Sequence, residues 1–124
     1  MNMTVAIAAG GALGALFRYW VSVGVHRFAG SEFPYGTLTV NVAGSLLMGA
    51  LYVLFIERMD VDPILRGALL IGLLGAFTTF STFSIETLNL IENGESFRAM
   101  VNVVASVILC VVACWIGMVA GRQL

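Results

Sequence analysis

Eight consecutive residues, Phe77, Thr78, Thr79, Phe80, Ser81, Thr82, Phe83 and Ser84, carry five hydroxyls and three phenyl rings. They stand inside a long apolar run, where Leu, Ile or Val would be the ordinary choice. β-Branched Thr and backbone-bonding Ser weaken a helix locally, so the helix carrying this run is expected to be interrupted there. A broken helix within a bilayer survives only where its freed backbone groups are buried in protein or line a cavity. A break furnished with hydroxyl donors suits the holding or passage of an ion. Asn41 follows Thr37 by four residues, and Ser106 follows Asn102 by four, so each pair shares one helical face. Asn in a span reads as an interhelical hydrogen-bond partner or as an amide donor at the wall of a pore. Arg18 reads as a snorkelling anchor beside Tyr19 and Trp20, or as a charge lining an aqueous vestibule. Cys110 and Cys114, four apart, are poorly placed for a disulfide and read as small packing residues.

The elements that must position these groups are four apolar runs, approximately 3–25, 37–56, 64–90 and 97–119. Each is about as long as, or longer than, the ~20 residues a helix needs to cross the hydrocarbon core. With 60% hydrophobic and 10% charged residues in 124, the chain has far fewer charges than the ~25% of an ordinary soluble domain. The composition therefore predicts a single all-α integral membrane domain over 1–124, with four transmembrane helices and three short turns. The first run lacks a basic segment ahead of it and reads as a retained span. Gly10 and Gly14 form a small-xxx-small pair that lets helices approach closely, either within the chain or between subunits. The net charge of −1 makes nucleic acid an unsuitable partner. No constellation suited to enzyme catalysis is present, and His26 beside Arg27 reads as an interfacial residue.

Four spans put both termini and the second turn on one side of the membrane. That side holds Arg58, Arg66 and Arg122; the other holds Arg27 and Arg98, with Arg18 if it snorkels outward. Orientation is normally set by a clear Lys/Arg excess in the cytoplasmic loops. With almost no excess, the chain is expected to insert both ways, and opposite copies would pair about a two-fold axis in the membrane plane.

Three segments carry a resemblance. They are Gly14 to Arg18 (Gly-Ala-Leu-Phe-Arg), Gly36 to Gly44 (Gly-Thr-Leu-Thr-Val-Asn-Val-Ala-Gly), and Gly75 to Thr87 (Gly-Ala-Phe-Thr-Thr-Phe-Ser-Thr-Phe-Ser-Ile-Glu-Thr). Together they make the chain, over its whole length, similar to the Fluc (CrcB) fluoride channel family. That resemblance implies an antiparallel, dual-topology homodimer in the bacterial inner membrane. Its two pores would let cytoplasmic fluoride leave by passive electrodiffusion and so confer fluoride resistance. It implies a structural sodium ion on the dimer axis, held by backbone carbonyls that fall on Gly75 and Thr78. The family's pore phenylalanines match Phe80 and Phe83, and its pore asparagine matches Asn41. Its polar track on the fourth helix is matched by Asn102 and Ser106, after which Cys110 and Ala113 replace hydroxyls.

The chemistry of the ion agrees with this. Fluoride is a strong hydrogen-bond acceptor, and its lost water must be replaced by donors, which Asn41, Ser81, Thr82 and Ser106 supply. The positive edge of a phenyl ring attracts an anion without a full charge. Conduction needs weak, multiple sites, and the hydroxyl-rich segment contains no cation. Arg18 at a vestibule would raise the local anion concentration. A competing expectation is a small dual-topology, proton-coupled exporter of organic cations, which would need a carboxylate deep in the membrane; Glu86 is its one candidate.

Overall fold

The computed structural model describes all of residues 1–124 and is entirely helical, with four segments long and apolar enough to cross a membrane. Helix α1 (Met3–Ala29) is the first span. The second comprises α2 (Tyr35–Tyr52) and a wider π-helical turn, Val53–Arg58. The third runs from α3 (Pro63–Arg66) through a π-helical stretch, Gly67–Leu73, into α4 (Leu74–Phe77), and resumes as α5 (Phe80–Glu92). The fourth is α6 (Ser96–Gln123).

The ends of these elements follow from local chemistry. Asn2 caps α1, its side chain accepting from the Val5 N–H at 2.9 Å. Asp62 caps α3 ahead of Pro63, whose fixed φ suits a first helical position. Gly30 and Gly94 take positive φ of 83° and 78° in the two turns on the side opposite the termini, a conformation with little cost for glycine alone. The helices extend beyond the expected apolar runs, except at the start of α1. His26, Arg27 and Arg122 fall within the last turns of α1 and α6, where cations complement the C-terminal end of the helix dipole.

Small residues set the packing. A Cβ on Gly10 would meet the Ala68 carbonyl, and one on Gly14 the Leu73 carbonyl. The Gly10–Gly14 pair therefore seats α1 against the third span within one chain. On the other side of the bundle, Gly49 faces the Cys114 carbonyl and Gly117 the Leu46 carbonyl, joining α2 to α6. Lipid is as apolar as Leu, so helices in a bilayer gain from close backbone approach rather than from burial of large side chains. This is why Val107, Val111 and Trp115 point outward while Ala99, Ala113 and Gly117 are interior.

Charge pairs tie the two ends. Arg122 meets Glu57 at 3.4 Å, and Arg58 donates to the Arg122 carbonyl at 2.7 Å. At the opposite end Arg98 meets Glu95 at 2.8 Å and Glu32 at 3.9 Å.

Candidate functional site

The backbone of the third span leaves helical geometry at Thr78 (φ −88°, ψ 157°) and Thr79 (φ −151°, ψ 119°), both extended. The span runs from Pro63 to Glu92, so 63–77 and 78–92 are fifteen residues each and the departure falls at its centre. Thr78 turns inward on the end of α4, its N–H and its Oγ1 both donating to the Leu74 carbonyl, at 3.1 and 3.0 Å. Thr79 is the N-cap of α5: its Oγ1 accepts from the Thr82 N–H at 3.1 Å and donates to Thr82 Oγ1 at 3.0 Å. A hydroxyl in this position satisfies one of the orphan donors of a helix N-terminus.

Helix α2 holds this segment in place. Asn41 Oδ1 accepts from the Thr79 N–H at 2.7 Å, and Asn41 Nδ2 donates to the Thr79 carbonyl at 3.0 Å. One side-chain amide thus pairs both backbone groups of an extended residue, as a neighbouring strand would. One turn further on, Gly44 makes room: a Cβ there would collide with Thr78 Cγ2 and come within 3.2 Å of the Phe77 ring. The motif Asn41-x-x-Gly44 is therefore a receptor for Thr78 and Thr79.

Two carbonyls lose their helical donors through these diversions. The partner of Gly75 in a continuous helix would be the Thr79 N–H, which Asn41 takes; the partner of Thr78 would be the Thr82 N–H, which Thr79 Oγ1 takes. Gly75 also lies on an exposed face, with only the Leu70 carbonyl near a Cβ position, at 3.9 Å. Neutral oxygens at the negative end of a half-helix are a donor set for a hard monovalent cation. The residues present fit sodium in type.

A groove of about 390 Å³ opens beside the interruption, lined by Asn41, Thr78, Thr79, Phe80, Phe83 and Ser106, with Ser45, Met48, Cys110 and Cys114 further along α2 and α6. The Phe80 ring is 77% exposed and Phe83 9%; their centroids are 5.3 Å apart at 43°. Of the residues singled out in the sequence, Asn41, Phe80, Phe83 and Ser106 meet in this groove. Asn102 lies beneath it, 2% exposed, donating to Thr87 Oγ1 at 2.9 Å and accepting from Ser106 Oγ at 3.4 Å. Ser81 is exposed and sits 3.4 Å from Thr79 Oγ1; neither it nor Thr82 lines the groove. Sequence reasoning missed Thr79 as the braced residue and Gly44 as the clearance for Thr78. The adjacent Thr78–Thr79 pair was the available signal, since any helix resuming at Phe80 needs a cap.

A second cavity of about 410 Å³, mostly polar, lies at the end opposite the termini, lined by His26, Glu32, Glu86, Glu95 and Arg98 among others. Glu86 is at this cavity, with Oε1 buried and unpartnered. It is six residues from the end of α5, ~9 Å at the helical rise. Arg18 lines neither cavity. It lies two residues past the midpoint of α1, its Nε buried and unpartnered. Eight residues separate it from His26, ~12 Å at the helical rise. It shares a face with Gly10 and Gly14, and Gly14 meets Leu73, so one further turn brings Arg18 level with the end of α4.

The model of the CrcB-like protein family, described also as camphor resistance (CrcB), matches residues 5–118. A protein of Methylococcus capsulatus named fluoride-specific ion channel FluC is 53% identical over the whole chain, which spans 55% of that relative's length. Proteins of the same name from Magnetococcus marinus and Geobacter sulfurreducens are 51% and 49% identical, with 94% and 100% of both chains covered. The expectation of an organic-cation exporter finds no support among these relatives.

Proposed function

The chain belongs to the CrcB family, and on that premise we propose that it is a fluoride-specific ion channel through which fluoride moves passively down its electrochemical gradient. The observation that carries the reading is the interrupted third span, braced by Asn41 beside an uncharged, mostly apolar groove that holds a few hydroxyl and amide groups and two phenyl rings. Asn41 Nδ2 has a second proton beyond the one given to Thr79, and Thr82 Oγ1, which accepts from Thr79, keeps its own proton to give. Phe80 and Phe83 present ring edges that favour an anion without holding it. A dehydrated fluoride would pass between such weak sites, from the Asn41 amide to the ring edges and on to Ser106, whose one proton would turn to the ion from Asn102 Oδ1. Ser81, Thr82 and Asn102 belong to the same polar path, Asn102 by orienting Ser106 and Ser81 by facing a second subunit. Arg18 holds a positive potential near mid-membrane without touching the groove.

The working unit in this proposal is an antiparallel homodimer with two pores in the bacterial inner membrane, embedded in lipid. Three features support it. The arginine bias between the two sides is about one charge. Gly75 and Ser81 expose polar backbone and hydroxyl groups at mid-membrane, where lipid offers them no partner. The freed carbonyls of Gly75 and Thr78 would find a complete shell only when two copies meet. Those four carbonyls would hold a sodium ion, which supplies a fixed positive charge that ties the two interruptions together.

Purified protein in liposomes loaded with potassium fluoride tests the reading. On addition of valinomycin, an electrode outside should record rapid fluoride efflux, while chloride-loaded vesicles remain silent. Vesicles that release no fluoride above protein-free controls would end the proposal.

A further inference from the structure

Cys110 and Cys114 are the chain's two cysteines, both half-buried free thiols, and both line the groove that Asn41, Phe80 and Ser106 line. The thioether residue Met48 lines it from the opposite helix, α2. Three sulfur-bearing residues thus border one cavity in the membrane interior. Ser45 of α2 lines the same groove, so Cys110 borders the cavity from α6 where a polar side chain borders it from α2.

We propose that Cys110, Cys114 and Met48 form a binding site for a soft d10 cation of the copper(I) class. Residues four apart on a helix have Cβ atoms ~5–6 Å apart, beyond the 3.5–4.5 Å of a disulfide, so the pair stays reduced. Two metal–sulfur bonds of ~2.3 Å each span a gap of that order, and thiolate with thioether is the donor set that selects soft ions. On binding, one S–H bond breaks and its proton leaves to water as an S–metal bond forms. The other thiol and the thioether donate lone pairs and lose nothing. No electron is transferred. A single negative thiolate meets a single positive charge, so the filled site is neutral, which a low-dielectric groove requires of a buried ion.

The metal site stands on the placement of the three sulfur-bearing residues around one groove; its consequence for ion flow rests on the channel reading. Silver(I) nitrate in chloride-free buffer is the probe. The purified wild-type protein should bind about one silver ion per chain by elemental analysis, and Cys110→Ala/Cys114→Ala, which has no thiol, should bind none. The single variants and Met48→Leu serve if the double variant does not assemble, and each should weaken binding. Wild-type protein that retains no more silver than the thiol-free variant, or single variants that bind as wild type does, would overturn the site. In the liposome assay, silver should abolish wild-type fluoride efflux, and a thiol competitor should restore it. Silver bound at full efflux would uphold the metal site and remove the groove from the ion path.

Discussion

Asn41 is the residue whose replacement separates scaffold from ion path. Its amide meets both the N–H and the C=O of Thr79, at 2.7 and 3.0 Å. Asn41→Ala removes two hydrogen bonds between spans, each worth ~0.6 and at most ~1.7 kcal/mol in a membrane. The loss should be about 1–3 kcal/mol, read as a lower unfolding temperature in detergent. Asn41→Asp differs in kind. The carboxylate still accepts from the Thr79 N–H, so about half of the brace remains. It also turns a negative charge toward the groove and toward the Thr79 carbonyl. An anion passing ~4 Å away would meet about 4 kcal/mol of repulsion at an effective permittivity of ~20, roughly a thousandfold in rate. The two variants should therefore separate in efflux, Asp more deeply blocked than Ala, while the Ala variant reads the brace alone, free of the cost of a charge in the membrane interior. An Asp variant that conducts within a few-fold of wild type would refute the placement of Asn41 on the ion path. An Ala variant as stable as wild type would refute the brace.

Phe80→Ala and Phe83→Ala should each cut fluoride efflux strongly while eluting on gel filtration as wild type does; normal efflux in both would exclude the rings from the path. Gly44→Ala places a methyl against Thr78 Cγ2 and should cost ~1–3 kcal/mol of stability, as overpacking does, with reduced efflux. Gly24→Ala, with nothing within 4 Å, is the matched control and should be neutral or slightly stabilising. C-terminal reporter fusions should show both orientations in the same cells. Adding Lys to one side should lock the chain and abolish fluoride protection until a partner locked the other way is co-expressed; a locked chain that protects alone would exclude antiparallel pairing.

The four spans were legible because a bilayer demands ~20 apolar residues per helix, and nothing in a chain this poor in charge competes with that pattern. Their ends were harder. His26, Arg27 and Arg122 are polar yet helical, because interfacial water and the helix dipole tolerate them there. The hydroxyl-rich segment stands out by its chemistry, and it contains the two residues at which the third span turns extended, Thr78 and Thr79. What it did not reveal is which hydroxyl does what. Thr79 caps, Thr78 and Ser84 bond back to the carbonyls of Leu74 and Phe80, and only the three-dimensional register distinguishes these uses. Asn41 was legible as an interhelical donor or a pore donor, but not its partner, thirty-eight residues away. Gly44 was one glycine among fourteen until the neighbouring Thr78 methyl identified it. The π-helical stretch at Gly67–Leu73 has no signature in the apolar pattern, since every residue of that stretch is apolar and no polar face records the shift in register.

The central claim is that a neutral groove beside the interruption passes fluoride, and single-variant efflux from liposomes tests it most directly. Wild-type protein should empty potassium fluoride vesicles within seconds of valinomycin addition, potassium chloride vesicles should stay full, and Asn41→Asp should match protein-free liposomes in both. Equal release of chloride and fluoride by wild type, or undiminished fluoride release by the Asp variant, would contradict the account.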